Sequence, residues 1–236
     1  MKSRQSGFTL VEIAIVLVII GLLLGGVLKG QELINSAKIK NLVNDMNGIS
    51  TAVYAYQDRF KALPGDDTNA ATRWASSTGV TFPLATASTL GDTQVTGAFD
   101  SNVAATESVA FWDELRLAGF LGGSTGQTVV QPQNAVGGIV GVQTGVGVQG
   151  VGAATGLSGL VVCQTNLSGR IAEALDNQLD DGKPDSGAVK AFLQGTAGTG
   201  TLVGTSATTS IAADRTPATS FVDDGNTLYT MCKKIT

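Results

Sequence analysis

The stretch FTLVEIAIVLVIIGLLLGGVL, Phe8 to Leu28, decides how the rest of this chain is read. Its 21 residues hold a single charge, Glu12, fifth from the start. As a helix rising about 1.5 Å per residue it extends roughly 31 Å, close to the ~30 Å hydrocarbon thickness of a bilayer. A secretory signal has an apolar core of only about 7 to 15 residues, with a small-x-small cleavage site after it. Here the run is longer and no such pattern follows. Lys2 and Arg4 precede the run, while Lys29, Lys38 and Lys40 follow it. The expected orientation is N-terminus in and C-terminus out, because a long downstream domain translocates largely regardless of its charge. A carboxylate inside such a segment is costly and signals function by default. Either it meets a cation at its own membrane depth, or it reaches back to the headgroups or to its own helix start.

The composition of the 236 residues fits an extracytoplasmic location. Cys163 and Cys232 are an even count, which suits one disulfide in an oxidising compartment; two buried free thiols are the alternative. Histidine is absent, so the commonest general base and the commonest transition-metal ligand are both missing. No nucleophile with a neighbouring base stands out, although Ser/Lys or paired-carboxylate chemistry stays open. Charged residues make up 14% of the chain, against a usual ~25%, and Ser, Thr, Asn and Gly supply the polarity instead. The net charge of -4 argues against general affinity for nucleic acid. The length accommodates a membrane helix and one globular domain with its own core.

Beyond Lys29 apolar residues recur at Ile39, Leu42, Met46, Ile49, Val53, Tyr56 and Phe60, spaced by three or four. That spacing predicts a continuing helix with one apolar face, ended by Pro64 and Gly65 in KALPGDD. TESVAFWDELRLAGF reads as a second helix, with Thr106 as its cap, Gly119 at its end, and Phe111, Trp112 and Leu115 facing inward. Val- and Gly-rich residues 127–163 read as strands with bulges or loops. SGRIAEALDNQLDDG reads as a third helix, AVKAFLQG and TLYTMCKKIT as strands, and residues 195–220 as a surface loop.

The opening KSRQSGFTLVEIAIVLVIIG closely resembles the N-terminus of type IV pilins and of the pseudopilins of type II secretion. These share a short basic leader ending in Gly, then Phe, Thr, Leu, a hydrophobic residue, Glu and an unbroken apolar helix. The resemblance covers the first quarter of the chain well and the rest in outline. It implies that residues 1–7 are a leader, that a prepilin peptidase cuts between Gly7 and Phe8, and that the new amine of Phe8 is methylated. Residues 8–28 would be the membrane-spanning and filament-core half of the long helix, 29–62 its amphipathic half, and 63–236 an extracytoplasmic globular domain. The fold implied is α+β and pilin-like: a long N-terminal helix, membrane-spanning in its first half, packed on a mainly antiparallel sheet. In such a filament Glu12 would pair with the cationic amine of Phe8 in a neighbouring chain and set the axial register of assembly.

The function implied is that of a non-enzymatic subunit of a type IV pilus or pilus-like extracellular filament. Its partners would be further copies of the chain, the prepilin peptidase, and the inner membrane with its assembly platform, with no nucleic acid. A pseudopilin of type II secretion and a minor pilin acting as an adhesin are the alternatives. Many pilins carry a helix-breaking proline near where Lys29 stands; this chain has none there, and Gly21, Gly25, Gly26 and Gly30 are where the helix can loosen. A Cys163–Cys232 bridge would resemble the disulfide-bounded variable region of pilins.

No cofactor is expected, with one candidate exception. DNQLDDGKPDSG gathers Asp176, Asp180, Asp181 and Asp185, hard oxygen ligands that suit calcium, without the spacing of an EF-hand loop; a solvated turn reads as well. GVGVQG, residues 145–150, matches a dinucleotide-binding pattern but has no βαβ context. Asn166-Leu-Ser168 is a glycosylation sequon by pattern, and Asp66 with Asp67 reads as a turn after the long helix.

Overall fold

The computed structural model describes residues 9–74, 90–101, 106–125, 131–144, 157–196 and 218–235. The first element, α1, is one helix of 51 residues, Leu10–Phe60. It runs unbroken through Gly21, Gly25, Gly26 and Gly30. Its end lies slightly before the Pro64–Gly65 pair that the sequence suggested. Lys61 adopts φ 55°, ψ 29°, and its N–H donates to the carbonyl of Gln57; this left-handed residue closes the helix before proline can act.

After the short α2, Ala70–Trp74, and α3, Glu107–Leu117, come β1, Val140–Thr144, and β2, Leu160–Ser168. Then follow α4, Gly169–Leu179, β3, Val189–Thr196, and β4, Thr227–Lys234. The four strands form one antiparallel sheet in the order β1-β2-β4-β3. The architecture is α+β, with the expected helices and strands close to where periodicity put them. Strand β3 includes Gly195, the last residue of AVKAFLQG, and runs one residue further to Thr196, into the expected loop, while residues 197–217 and GVGVQG lie outside the described residues.

The sheet is covered on both faces, and the period of two along its strands explains how. Leu160 and Val162 of β2 and Tyr229 and Met231 of β4 join Leu42, Met46, Ile49, Val53 and Tyr56 of α1 in the main core. Val161, Cys163 and Cys232 point the other way, against Phe99, Leu157 and Phe192. Midway along β2 three residues advance while β4 advances two: Gln164 opposes Met231 and Leu167 opposes Tyr229. The extra residue is accommodated at Asn166, with φ 66°, and the bulge returns Leu167 to the α1 face. A regular strand would have turned Leu167 away from that core. Gly141 in β1 is needed for a different reason, since a Cβ there would stand 1.9 Å from the carbonyl oxygen of Phe99.

The second half of α1 is thereby fixed to the sheet. Gln164 donates its amide to the carbonyl of Leu42 at 3.0 Å, Lys233 donates to the side chain of Asn47 at 2.6 Å, and the Tyr54 hydroxyl donates to the carbonyl of Ile235. Burying each large apolar side chain of this stripe contributes about 1.5–3 kcal/mol. The first half of α1 has no such cover.

Candidate functional site

Leu10 to Leu28 stand clear of the globular domain. Leu10 is 86% exposed, Leu22 73% and Leu28 67%. The most apolar 18-residue window of α1 has a mean hydropathy of 2.8, and none of it is buried by the rest of the chain. By length and composition this is the one helix among the described residues able to cross a membrane. So large a continuous apolar surface is foreign to a free monomer and needs lipid or other helices around it.

Thr9 caps the start of α1. Its side chain accepts from the N–H of Glu12 at 3.3 Å, and the Glu12 carboxylate accepts from the Thr9 N–H at 2.8 Å and the Thr9 hydroxyl at 2.7 Å. This reciprocal capping box satisfies otherwise orphaned donors and places a negative charge at the positive end of the helix dipole. In the single chain, Glu12 therefore reaches back to its own helix start. Both bonds fall on Oε2; Oε1 accepts none among the described residues. Gly7 and Phe8 lie outside those residues.

At the other end of α1 a buried polar network replaces the plain turn expected of LPGDD. Asp66 and Asp67 are both buried. Asp66 accepts from the N–H groups of Gly91 and Thr93. Asp67 accepts from the Asn69 N–H at 2.8 Å, from the Tyr56 hydroxyl at 2.8 Å and from the Arg73 guanidinium. Glu114, on α3, accepts from the Gly65 N–H at 2.7 Å and lies 3.1 Å from the Tyr56 hydroxyl. Burial pushes the Glu114 carboxyl up to about 8, and the Asp67 charge adds to the effect. A phenol has one proton to give. With Asp67 taking it, a protonated Glu114 donates to the Tyr56 oxygen, and each group is satisfied. Arg73 also lies over the Phe60 ring, 4.3 Å from its centroid, so charge, ring and carboxylates lock the helix end to α3. In the sequence the only trace is an acidic pair, Asp113 and Glu114, inside an otherwise inward-facing run.

Cys163 and Cys232 are joined by a disulfide. They face each other across β2 and β4, so the bridge links the two central strands and sits in the core on the side away from α1. Of the four aspartates in the acidic turn, Asp176, Asp180 and Asp181 bring carboxylate oxygens within 4.8 Å of one another, and Asp185 is exposed outside that group. Burial, with Asp180 and Asp181 beside it, pushes the Asp176 carboxyl up to about 7. Asn166 lies within β2, its amide donating to the carbonyl of Val136 at 2.8 Å; that engages the nitrogen a glycan would need.

A bilayer-length helix, capped at its start and uncovered over its first half, rises from a disulfide-bridged antiparallel sheet; the architecture is α+β and consistent with a pilin-like fold. A family model described as the prokaryotic N-terminal methylation motif matches residues 2–28. The chain thus carries the prepilin-type signal shared by type IV pilins and pseudopilins. The motif implies processing by a prepilin peptidase and assembly into a filament, and together with the apolar helix it fits membrane anchoring before assembly. No curated protein and no solved structure matches the chain.

Proposed function

We infer that this chain is a structural, non-enzymatic subunit of a type IV pilus or pilus-like extracellular filament. The observation that supports this most directly is the exposure of Leu10 to Leu28 with Glu12 as the single charge among them. That surface suits two environments in succession, lipid before assembly and the helices of other subunits after it. Residues 1–7 serve as the leader, Phe8 becomes the methylated first residue, residues 8–28 form the filament core, and residues 63–236 form its outer layer. Glu12 keeps Oε1 available for the Phe8 amine of a neighbour while Oε2 holds the cap. An opposite charge at the same depth removes the penalty of an isolated ion in a dry helical core.

The test is mass spectrometry of filaments sheared from the native cell. The reading requires a chain beginning at Phe8 with an added N-methyl group, as a principal component. A chain beginning at Met1 in assembled filaments overturns it. Surface fibres labelled by antibody support a pilus; loss of a secreted enzyme on deletion, without such fibres, assigns the chain to a secretion pseudopilus instead. Trace abundance in the filament would replace the bulk-subunit reading with that of a minor binding subunit.

A further inference from the structure

We propose that Asp176, Asp180 and Asp181 form a calcium site that ties the end of α4 to the turn leading into β3.

Two independent observations carry it. The first is convergence: one carboxylate oxygen from each residue lies within 4.8 Å of the others. Ligands on opposite sides of a calcium ion, with bonds of about 2.4 Å, stand about that far apart. The second is the state of Asp176. Its side chain is 0% exposed, and neither carboxylate oxygen has a hydrogen-bond partner among the described residues. A buried carboxylate normally accepts several hydrogen bonds or pairs with a cation. Here its carboxylate is directed at two further carboxylates that lie toward solvent. None of the three is in an ion pair among the described residues.

The surrounding chain holds the outer two aspartates in place without saturating them. Asp180 uses Oδ2 to accept from the N–H groups of Ala188 and Val189. Asp181 accepts from the Lys183 N–H at 3.0 Å and from the Ser186 hydroxyl at 2.5 Å. Gly187, with φ 70°, lets the turn pass so close that a Cβ there would stand 1.8 Å from Asp180 Oδ2. The donor set is oxygen only and hard, which disfavours zinc. Its makeup, one carboxylate from the last turn of α4 and two from the irregular turn after it, with one side open to water, suits the flexible six- to eight-fold shell of calcium better than the strict octahedron of magnesium. An affinity of about 10⁻⁴–10⁻³ M is expected, the range of extracellular modules. The site stands independently of the filament reading.

The experiment uses the full chain purified in detergent, stripped with a chelator, then titrated calorimetrically with calcium and separately with magnesium. Thermal unfolding is followed with calcium and with chelator. Expected are one calcium per chain, a higher melting temperature in calcium, and a clearly smaller effect of magnesium. Asp176→Asn should weaken calcium binding roughly tenfold or more while raising the melting temperature in chelator, because it removes an uncompensated buried charge. Asp181→Asn, at the surface, should weaken binding with little effect on the chelated protein, and Asp185→Asn should bind as wild type. Absence of calcium binding, equal response to magnesium, or undiminished binding by Asp176→Asn and Asp181→Asn overturns the proposal, as does loss of binding in Asp185→Asn.

Discussion

Glu114→Gln tests the buried network at the base of α1 by removing a charge while keeping the shape. The Glu114 proton is held more tightly in the fold than in the unfolded chain, with its carboxyl raised from 4.5 to about 8 by burial first and by the Asp67 charge second. The native state therefore carries more protons throughout that window, and stability falls as pH rises through it. The contribution is fully present below about pH 4.5 and gone above about pH 8. Each pH unit inside the window removes up to about 1.36 kcal/mol, so Glu114 alone accounts for a loss on the order of 5 kcal/mol between the two limits. Glutamine has no proton to lose, and its carbonyl can still accept from the Gly65 N–H. The variant should match wild type within about 1 kcal/mol near pH 5 and exceed it by a few kcal/mol near pH 8. Urea unfolding in detergent, followed by the fluorescence of Trp112, which is fully buried two residues away, reads this out. Asp176 pushes the wild-type slope in the same direction, so the decisive quantity is the difference between the two proteins. Equal slopes from pH 5 to pH 8 would show that Glu114 is not held protonated by the fold.

Glu12→Ala should leave cleavage, membrane insertion and the globular fold intact but reduce filament yield at equal membrane levels; Glu12→Gln should retain more filament than alanine only if polarity rather than charge is what matters, and wild-type yield from the alanine variant would refute an assembly role. Replacing Cys163 and Cys232 together by alanine should cost roughly 4 kcal/mol, seen as a lower urea midpoint under oxidising conditions and as no further drop on adding reductant. Met46→Ala, at a fully buried position of α1, should cost about 2–5 kcal/mol in the same assay, whereas Leu22→Ala, on the uncovered half, should leave globular-domain unfolding unchanged and act on filament yield.

The long helix was legible in the sequence because its determinants are local. An apolar run of bilayer length, then apolar residues every three or four positions from Ile39 to Phe60, can be read by counting, and Leu42, Met46, Ile49, Val53 and Tyr56 are indeed the buried face. The glutamate in the apolar run was equally visible, as was the pair of cysteines. Helix α3 and strands β3 and β4 followed from periodicity and turn residues in the same way.

What needed the tertiary structure is whatever depends on residues far apart in the chain. Asp66 and Asp67 follow a helix in a Pro-Gly turn, and nothing local separates a solvated turn from one buried beneath α3; the Gly65–Glu114 bond spans 49 residues. The sheet order β1-β2-β4-β3 brings the last strand between two earlier ones, and only that register sets Cys163 opposite Cys232. Four aspartates near one turn look alike in sequence, yet the packing of α4 buries Asp176 without a donor among the described residues and leaves Asp185 in water. Local geometry is set by the chain's own covalent repeat and can be counted along it. Burial is set by what the rest of the chain brings to the other side.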